Sequence, residues 1–173
     1  GIFVIAEKLG FYNELLNYFK NKKDIPFYKK SIEIAMLCKG YRKEDFLSIF
    51  NNIPLKENVE NIITTLKKKN IKTAIATDSY MFLAEDLKKR LKIDFAFANK
   101  IIIDKGIITG EIQINNINLN SDFNGNTYSI CKEKILTDLC KDLGISIDDS
   151  IAVGDGIVDI GMIKNAGVGI AFN

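Results

Sequence analysis

The sequence predicts an α/β fold: a doubly wound parallel sheet, with a small helical cap and a β-hairpin added to it. Three observations carry this. After residue 55 the apolar spacing alternates between that of a helix and that of a buried strand, the pattern of crossover units. Two stretches, Lys72–Thr77 and Ile151–Asp159, run from a short apolar strand into polar residues and then a helix. Open α/β sheets place their ligand crevice at such carboxyl ends. The first fifty or so residues, by contrast, show helical spacing alone.

Taken in order, Gly1–Val4 is short and apolar and reads as the tail of a strand or loop. A helical pattern starts near residue 5, with Tyr12, Leu15, Leu16 and Phe19 on one face. Asn21–Pro26 breaks it. A second helix is predicted over 28–38, with Ile32, Ala35 and Met36 on one face, and Gly40 stops it. A short third helix carries Phe46, Ile49 and Phe50. The predicted organisation is therefore a cap over 5–54 and a core formed by 1–4 and 55–173.

Within the core, Val59, Ile62, Ile63 and Leu66 stripe a fourth helix. Lys72–Ala76 reads as a buried strand, and Thr77, Asp78 and Ser79 as the N-cap cluster of a helix over 80–91. Phe95–Asp104 and Ile107–Ile114 flank Asp104-Lys105-Gly106, a hairpin turn. Residues 115–127 are a polar, asparagine-rich loop. Ile135, Leu136, Leu139 and Leu143 mark a helix that opens at Lys132 and ends at Gly144. Ile151–Val153 is a buried parallel strand, Gly154-Asp155-Gly156 breaks it, a helix follows to Gly167, and Val168–Phe172 is another buried strand.

Bulk properties exclude several classes. The 173 residues fit one domain, or one core with a sizeable insertion. With 24 basic and 22 acidic residues the net charge is +2, which gives no basis for nucleic-acid binding. There is no histidine, so histidine triads, bases and metal sites are excluded. Cys38, Cys131 and Cys140 lack metal-ligand spacing, and an odd count argues against a disulfide framework. Cys131 and Cys140 flank or lie in a helix and read as buried thiols, and the setting expected is reducing and cytoplasmic. No apolar run approaches the ~20 residues a membrane helix needs, so no membrane partner is expected.

Chemistry concentrates at three points. Asp155 ends a strand and Asp159 lies in the first turn of the next helix. Two carboxylates so placed, with glycines giving close access, suit Mg²⁺, which takes oxygen ligands and keeps several waters. The plain alternative is one aspartate in a turn and one at a helix N-terminus, where negative charge is favourable anyway. Thr77, with the backbone N–H groups of Asp78 and Ser79, can hold a phosphate or simply cap a helix. Lys132 sits at a helix N-terminus, where a cation is disfavoured unless an anion lies before it. Lys134 is the nearby competitor. Together these groups suit a phosphoryl group, and what is missing is a nucleophile.

With these residues in place, the chain resembles the haloacid dehalogenase-like hydrolases, in the phosphoserine-phosphatase-like branch with a helical cap. Ile75–Tyr80, Lys132–Leu136 with Leu143–Ile145, and Gly154–Asp159 with its Ala166–Ala171 tail stand for the second, third and fourth motifs. Phe97–Asn99 and the hairpin to Gly110 match as well. The resemblance implies a phosphatase or phosphotransferase acting on a small phosphorylated metabolite. Thr77, Asp78 and Lys132 would bind phosphate, with Thr77 and Lys132 in the catalytic set. Asp155 would ligate Mg²⁺ and Asp159 would support the metal shell. Glu7 would face a substrate amine. The nucleophilic and acid–base aspartates of the first motif would precede Gly1.

Departures from the pattern bear on this reading. Val158 stands where the family commonly has Asn, and Ile2 where Thr is frequent. Thr77-Asp78-Ser79 replaces the usual Ser-Gly-Gly. Ile34 and Ala35 occupy the region where amino-acid phosphatases place a carboxylate-binding arginine, which argues against phosphoserine as substrate. The departures keep one rival in view, a non-catalytic binding or regulatory module on the same fold. Another, a domain that binds a partner protein through its cap, would call for an exposed apolar patch on residues 28–50.

Overall fold

The computed structural model describes residues 1–22, 25–122 and 125–172. Lys23 and Asp24, within the predicted break, and two residues of the polar loop lie outside that description. The chain opens with four helices: α1 (Ile2–Leu9), α2 (Tyr12–Asn21), α3 (Phe27–Leu37) and α4 (Lys43–Asn51). Gly1–Val4 is therefore not strand or loop, because α1 begins at Ile2. Its Phe3 ring lies 6.2 Å from Tyr12 and 5.5 Å from Phe19 across the α1–α2 turn. Gly10 makes that turn in the left-handed region at φ 87°, which glycine adopts without penalty.

After α5 (Val59–Lys68) come β1 (Ala74–Tyr80), α6 (Met81–Leu91), β2 (Phe95–Asp104) and β3 (Ile107–Gln113). The hairpin is as predicted. Lys105 and Gly106 both have positive φ, the requirement of a type I′ turn. β1 pairs with β2 in parallel, but the register slips between Ala76 and Tyr80. The strand thus continues through Thr77–Ser79, where the sequence predicted a helix cap, and α6 is capped by Tyr80 without a side-chain bond. A bulge of this kind re-aims side chains at the end of a strand.

The last third holds α7 (Lys132–Leu143), β4 (Ile151–Gly154), α8 (Ile160–Asn165) and β5 (Val168–Ala171), with 3-10 turns at Ile147–Asp149 and Ile157–Asp159. Gly144 ends α7 in the left-handed region, as the sequence indicated. β4 and β5 are parallel. The expected α/β architecture is present, but its strands form two sheets, β1-β2-β3 and β4-β5. β1 and β4 each keep one edge without a strand partner among the described residues.

The strand predicted as buried over 72–76 begins only at Ala74 and buries none of Ala74–Ala76, and those predicted at 151–153 and 168–172 are exposed apart from Ala152. Ile151 and Val153 are 56% and 53% exposed, and every residue of β5 is exposed. The register sets Ile151 beside Val168 and Val153 beside Ile170, all four of them exposed. The apolar stripe of α5 likewise buries none of its residues. Cys38 and Cys140 are buried, while Cys131 is only half-buried, and all three are free thiols.

The main core lies elsewhere. One cluster joins Leu15, Ala35 and Phe46 of the N-terminal helices to Tyr80, Leu83 and Ile108. These helices and the hairpin are also tied through the backbone: Gly40 donates to Ile108 at 2.9 Å, Ile108 to Tyr41 at 2.9 Å, and Lys43 to Gly106 at 2.9 Å. α3 lies against β3, where a side chain at Gly110 would meet Met36 and Lys39. The N-terminal helices are thus seated on the hairpin through shared apolar surface, each large buried side chain contributing on the order of 2 kcal/mol.

Candidate active site

Lys132 is the first residue of α7, where the unsatisfied N–H groups of a helix disfavour a cation. Its counter-ion is internal. The ammonium donates to Asp159 Oδ1 at 2.5 Å, and the two side chains are only 11% and 5% exposed. The other oxygen, Oδ2, accepts from the backbone N–H of Asp155 at 3.1 Å and of Gly156 at 2.9 Å. One carboxylate therefore holds the lysine with one hand and the 154–156 turn with the other. The turn must be this close: a Cβ on Gly154 would collide with the Asp159 side chain.

Burial alone would push the Asp159 carboxyl up. The Lys132 bond, the two backbone donors and the lysine charge outweigh it, so its pKa lies below the ordinary 3.8. A depressed carboxyl pKa stabilises the fold fully above the unfolded value and loses that contribution as pH falls through the folded value. We expect the denaturation midpoint to be insensitive to this group above pH 3.8 and to drop below it. Asp159→Asn should remove that part of the acid slope when midpoints are compared across pH.

Asp155 is exposed, and among the described residues its carboxylate has no hydrogen bond or ion pair. Lys134, the competitor of Lys132, is exposed and paired to Asp138 one turn on, at 2.9 Å. Thr77 is half-buried in the β1 bulge, where its hydroxyl accepts from the Ser79 N–H at 3.2 Å. Asp78 is exposed. Its carbonyl accepts from the Asn99 side-chain amide at 2.7 Å, and the same amide donates to Ser129 Oγ at 2.9 Å. Thus the end of β1 and the segment entering α7 lie within reach of one side chain, and α7 contacts both β1 and the 157–159 turn.

Hydrogen bonds tie Lys132 to the 155–159 turn, and Asn99 ties the β1 bulge to Ser129, three residues before Lys132. The structure does not tie Glu7 to them. Glu7 is exposed on α1, which contacts α2 and α4, and no bond joins it to Thr77, Lys132 or Asp155. Asn99 and Ser129, both almost fully buried, were not singled out as site residues from the sequence. The available signal was an asparagine interrupting the apolar run Phe95–Ile103, since a buried amide must find partners.

For Mg²⁺ the donor set fits in part. Asp155 offers a free carboxylate, whereas Asp159 has Oδ2 taken by two backbone donors and Oδ1 tied to Lys132. Among the described residues no group of three or more His, Cys, Asp or Glu can hold a metal. Mg²⁺ is commonly held by one or two carboxylates with waters and substrate phosphate completing the shell. The described residues also include no helix long and apolar enough to cross a membrane.

The sequence profile of the haloacid dehalogenase-like hydrolases matches residues 4–167. The phosphoserine phosphatase of Methanocaldococcus jannaschii is 30% identical over 170 residues, 97% of this chain and 76% of that protein. That of Archaeoglobus fulgidus is 32% identical over 150 residues, and the aligned part spans 87% of this chain but 41% of the relative's length. A substrate-bound phosphoserine phosphatase structure superposes with a TM-score of 0.80 at 28% identity, covering 99% of this chain and 78% of that one. A phospho-aspartyl intermediate analogue of phosphoserine phosphatase gives 0.76, also at 28% identity, over 96% of this chain and 76% of that one. With the profile match spanning nearly the whole chain, the protein belongs to the haloacid dehalogenase-like hydrolases, in the branch similar to phosphoserine phosphatase.

Proposed function

We propose that this chain carries the phosphoryl-binding machinery of a Mg²⁺-dependent phosphatase or phosphotransferase acting on a small phosphorylated metabolite. The observation that carries the reading is the Lys132–Asp159 pair, which fixes an ammonium at the N-terminus of α7 and shapes the turn that presents Asp155. An ammonium has three donors, so one bond to Asp159 leaves two for phosphoryl oxygens. The Thr77 hydroxyl, which accepts from Ser79, keeps its own proton to donate to a third oxygen. These groups orient the phosphoryl group and offset the charge that gathers on it in the transition state. Asp155 would hold Mg²⁺, which when bound withdraws charge from the phosphoryl oxygens.

The nucleophile in this reading is an aspartate on a further strand, forming an aspartyl-phosphate that water then hydrolyses. The unpartnered edges of β1 and β4 support such a strand. An unpaired strand edge is a row of unsatisfied N–H and C=O groups, and a strand inserted beside it pairs them.

The cap bears on substrate choice. Ala35 is fully buried and Ile34 packs on the apolar core, so these two positions offer no cation to a substrate carboxylate. The substrate we favour accordingly lacks the carboxylate of phosphoserine. A second reading, a non-catalytic module on the same fold, draws on the partial metal donor set and on the half-buried Val158 beside Asp159.

A screen of sugar, nucleotide and amino-acid phosphates, with and without Mg²⁺, on the full-length protein separates the readings. Mg²⁺-dependent turnover of any of them supports the enzyme, and none throughout supports the module. Beryllofluoride binding tests the lysine assignment. Lys132→Ala should weaken it by about tenfold or more, since a charge-assisted bond is lost. Lys134→Ala should leave it unchanged, because an exposed pair contributes little. The reverse result would move the site two residues along α7.

A further inference from the structure

Asn99 is completely buried near the middle of β2, and every polar atom of its side chain is used. Its amide nitrogen donates to the Asp78 carbonyl at 2.7 Å and to Ser129 Oγ at 2.9 Å, and its oxygen accepts from the Asn115 N–H at 2.9 Å. The amide orientation is fixed by this chemistry, since a carbonyl can only accept and a backbone N–H can only donate. Ser129, also buried, receives a second bond on the same oxygen, from the Ser31 hydroxyl at 2.8 Å. Ser31 belongs to α3, the cap helix.

The first turn of α3 is tied to this segment in two further ways. The Tyr28 N–H, one of the donors a helix N-terminus leaves unsatisfied, bonds the Thr127 carbonyl at 3.1 Å. The Phe27 and Tyr128 rings stack at 4.7 Å. Residues 27, 28 and 31 of the cap thus meet residues 128, 127 and 129 of the core. Three residues after Ser129 comes Lys132.

We propose that Asn99 and Ser129 are positioning residues of the phosphoryl site, and that Ser31 of the cap sets them through the hydrogen-bonded chain Ser31–Ser129–Asn99–Asp78. The proposal rests on the phosphatase reading and adds to it a physical link from the cap to the two groups that bind phosphate. The link runs one way to the β1 bulge, through the Asp78 carbonyl, and the other way to the lead-in of α7, through Ser129. When α3 is seated, Ser129 is held from both sides. When its first turn lifts, the Ser129 hydroxyl keeps only Asn99, and the 127–131 segment loses its cap-side bonds while its backbone stays tied to Asn116 at 2.8 and 3.0 Å. Cap seating and phosphate affinity then rise and fall together.

The test is a double-mutant cycle in the full-length protein with Mg²⁺, using Ser31→Ala, Ser129→Ala and the double variant. The readouts are the dissociation constant of inorganic phosphate by calorimetry, the kcat and KM for p-nitrophenyl phosphate, and the thermal midpoint. Each single variant should weaken phosphate binding about fivefold, the size of one net hydrogen bond, and the double variant no more than either single, because both cut one chain. Ser31→Thr, which keeps the hydroxyl, should restore affinity. Ser31→Ala binding phosphate like the parent, with only the midpoint lowered, would overturn the proposal and leave the chain a structural tie. Additive losses would overturn it too. A parent protein that binds no phosphate sinks the phosphatase reading and this proposal with it, whereas a binding parent with an indifferent Ser31→Ala sinks this proposal alone.

Discussion

Asp155→Asn is expected to abolish Mg²⁺-dependent turnover of p-nitrophenyl phosphate while leaving the fold intact. The side chain is exposed and, among the described residues, has no hydrogen bond or ion pair to lose. What ties residue 155 into the structure is its backbone N–H, which donates to Asp159 Oδ2 and survives the substitution. Surface changes of this kind shift stability by about 0.5 kcal/mol or less. The change in charge is another matter. A carboxylate binds a hard divalent cation through its negative charge, and a neutral amide of the same shape does not replace that. The loss in kcat/KM should be about a thousandfold or more, the scale at which a metal's stabilisation of transition-state charge is removed. Turnover, thermal midpoint and Mg²⁺ titration on parent and variant decide it. Unchanged turnover would sink the assignment, and a large fall in midpoint would make Asp155 a structural residue instead.

Much of this was legible in the sequence, and the reasons differ by element. α7 could be read because apolar residues at three- and four-residue spacing report one face, and Gly144 is the residue type a left-handed helix end prefers. The single helix expected from residue 5 onward is instead two, since Gly10 ends α1 and α2 starts at Tyr12. The hairpin could be read because Lys105-Gly106 is local turn chemistry between two apolar runs. Lys132 stood out because its charge conflicts with its position, and the structure resolves that conflict with Asp159.

The misreadings share a physical cause. Ile151, Val153, Val168 and Ile170 are the residues of buried strands, and the sequence correctly says that they favour burial. Whether a neighbouring strand or helix covers them is a property of the whole assembly, which no local pattern contains. Thr77–Ser79 was assigned to a helix cap because its side chains suit one. The β1–β2 pairing, twenty residues apart in sequence, instead keeps it in a bulged strand. Asn99 carried no visible role because its partners, Asp78, Asn115 and Ser129, come together only in three dimensions.

Asp159→Ala is expected to be the more damaging substitution for the fold, although Asp155 is the residue on the surface of the site. Removing the Asp159 carboxylate leaves the Lys132 ammonium nearly buried with no counter-ion, and breaking such a pair from one side typically costs about 3 kcal/mol or more. It also releases the Asp155 and Gly156 N–H groups, so the turn that presents Asp155 loses its anchor. Denaturant unfolding should show the loss in midpoint, and phosphate binding should disappear with it. Lys132→Met combined with Asp159→Asn separates the two consequences. The double variant has no stranded charge, and an asparagine oxygen can still accept from the turn, so stability should return most of the way toward the parent. Phosphate binding should not return, because the ammonium proposed to receive the phosphoryl oxygens is gone. A double variant as unstable as Asp159→Ala would mean that the carboxylate's grip on the 154–156 turn, rather than the stranded lysine, dominates the cost. A double variant that binds phosphate normally would remove Lys132 from the site.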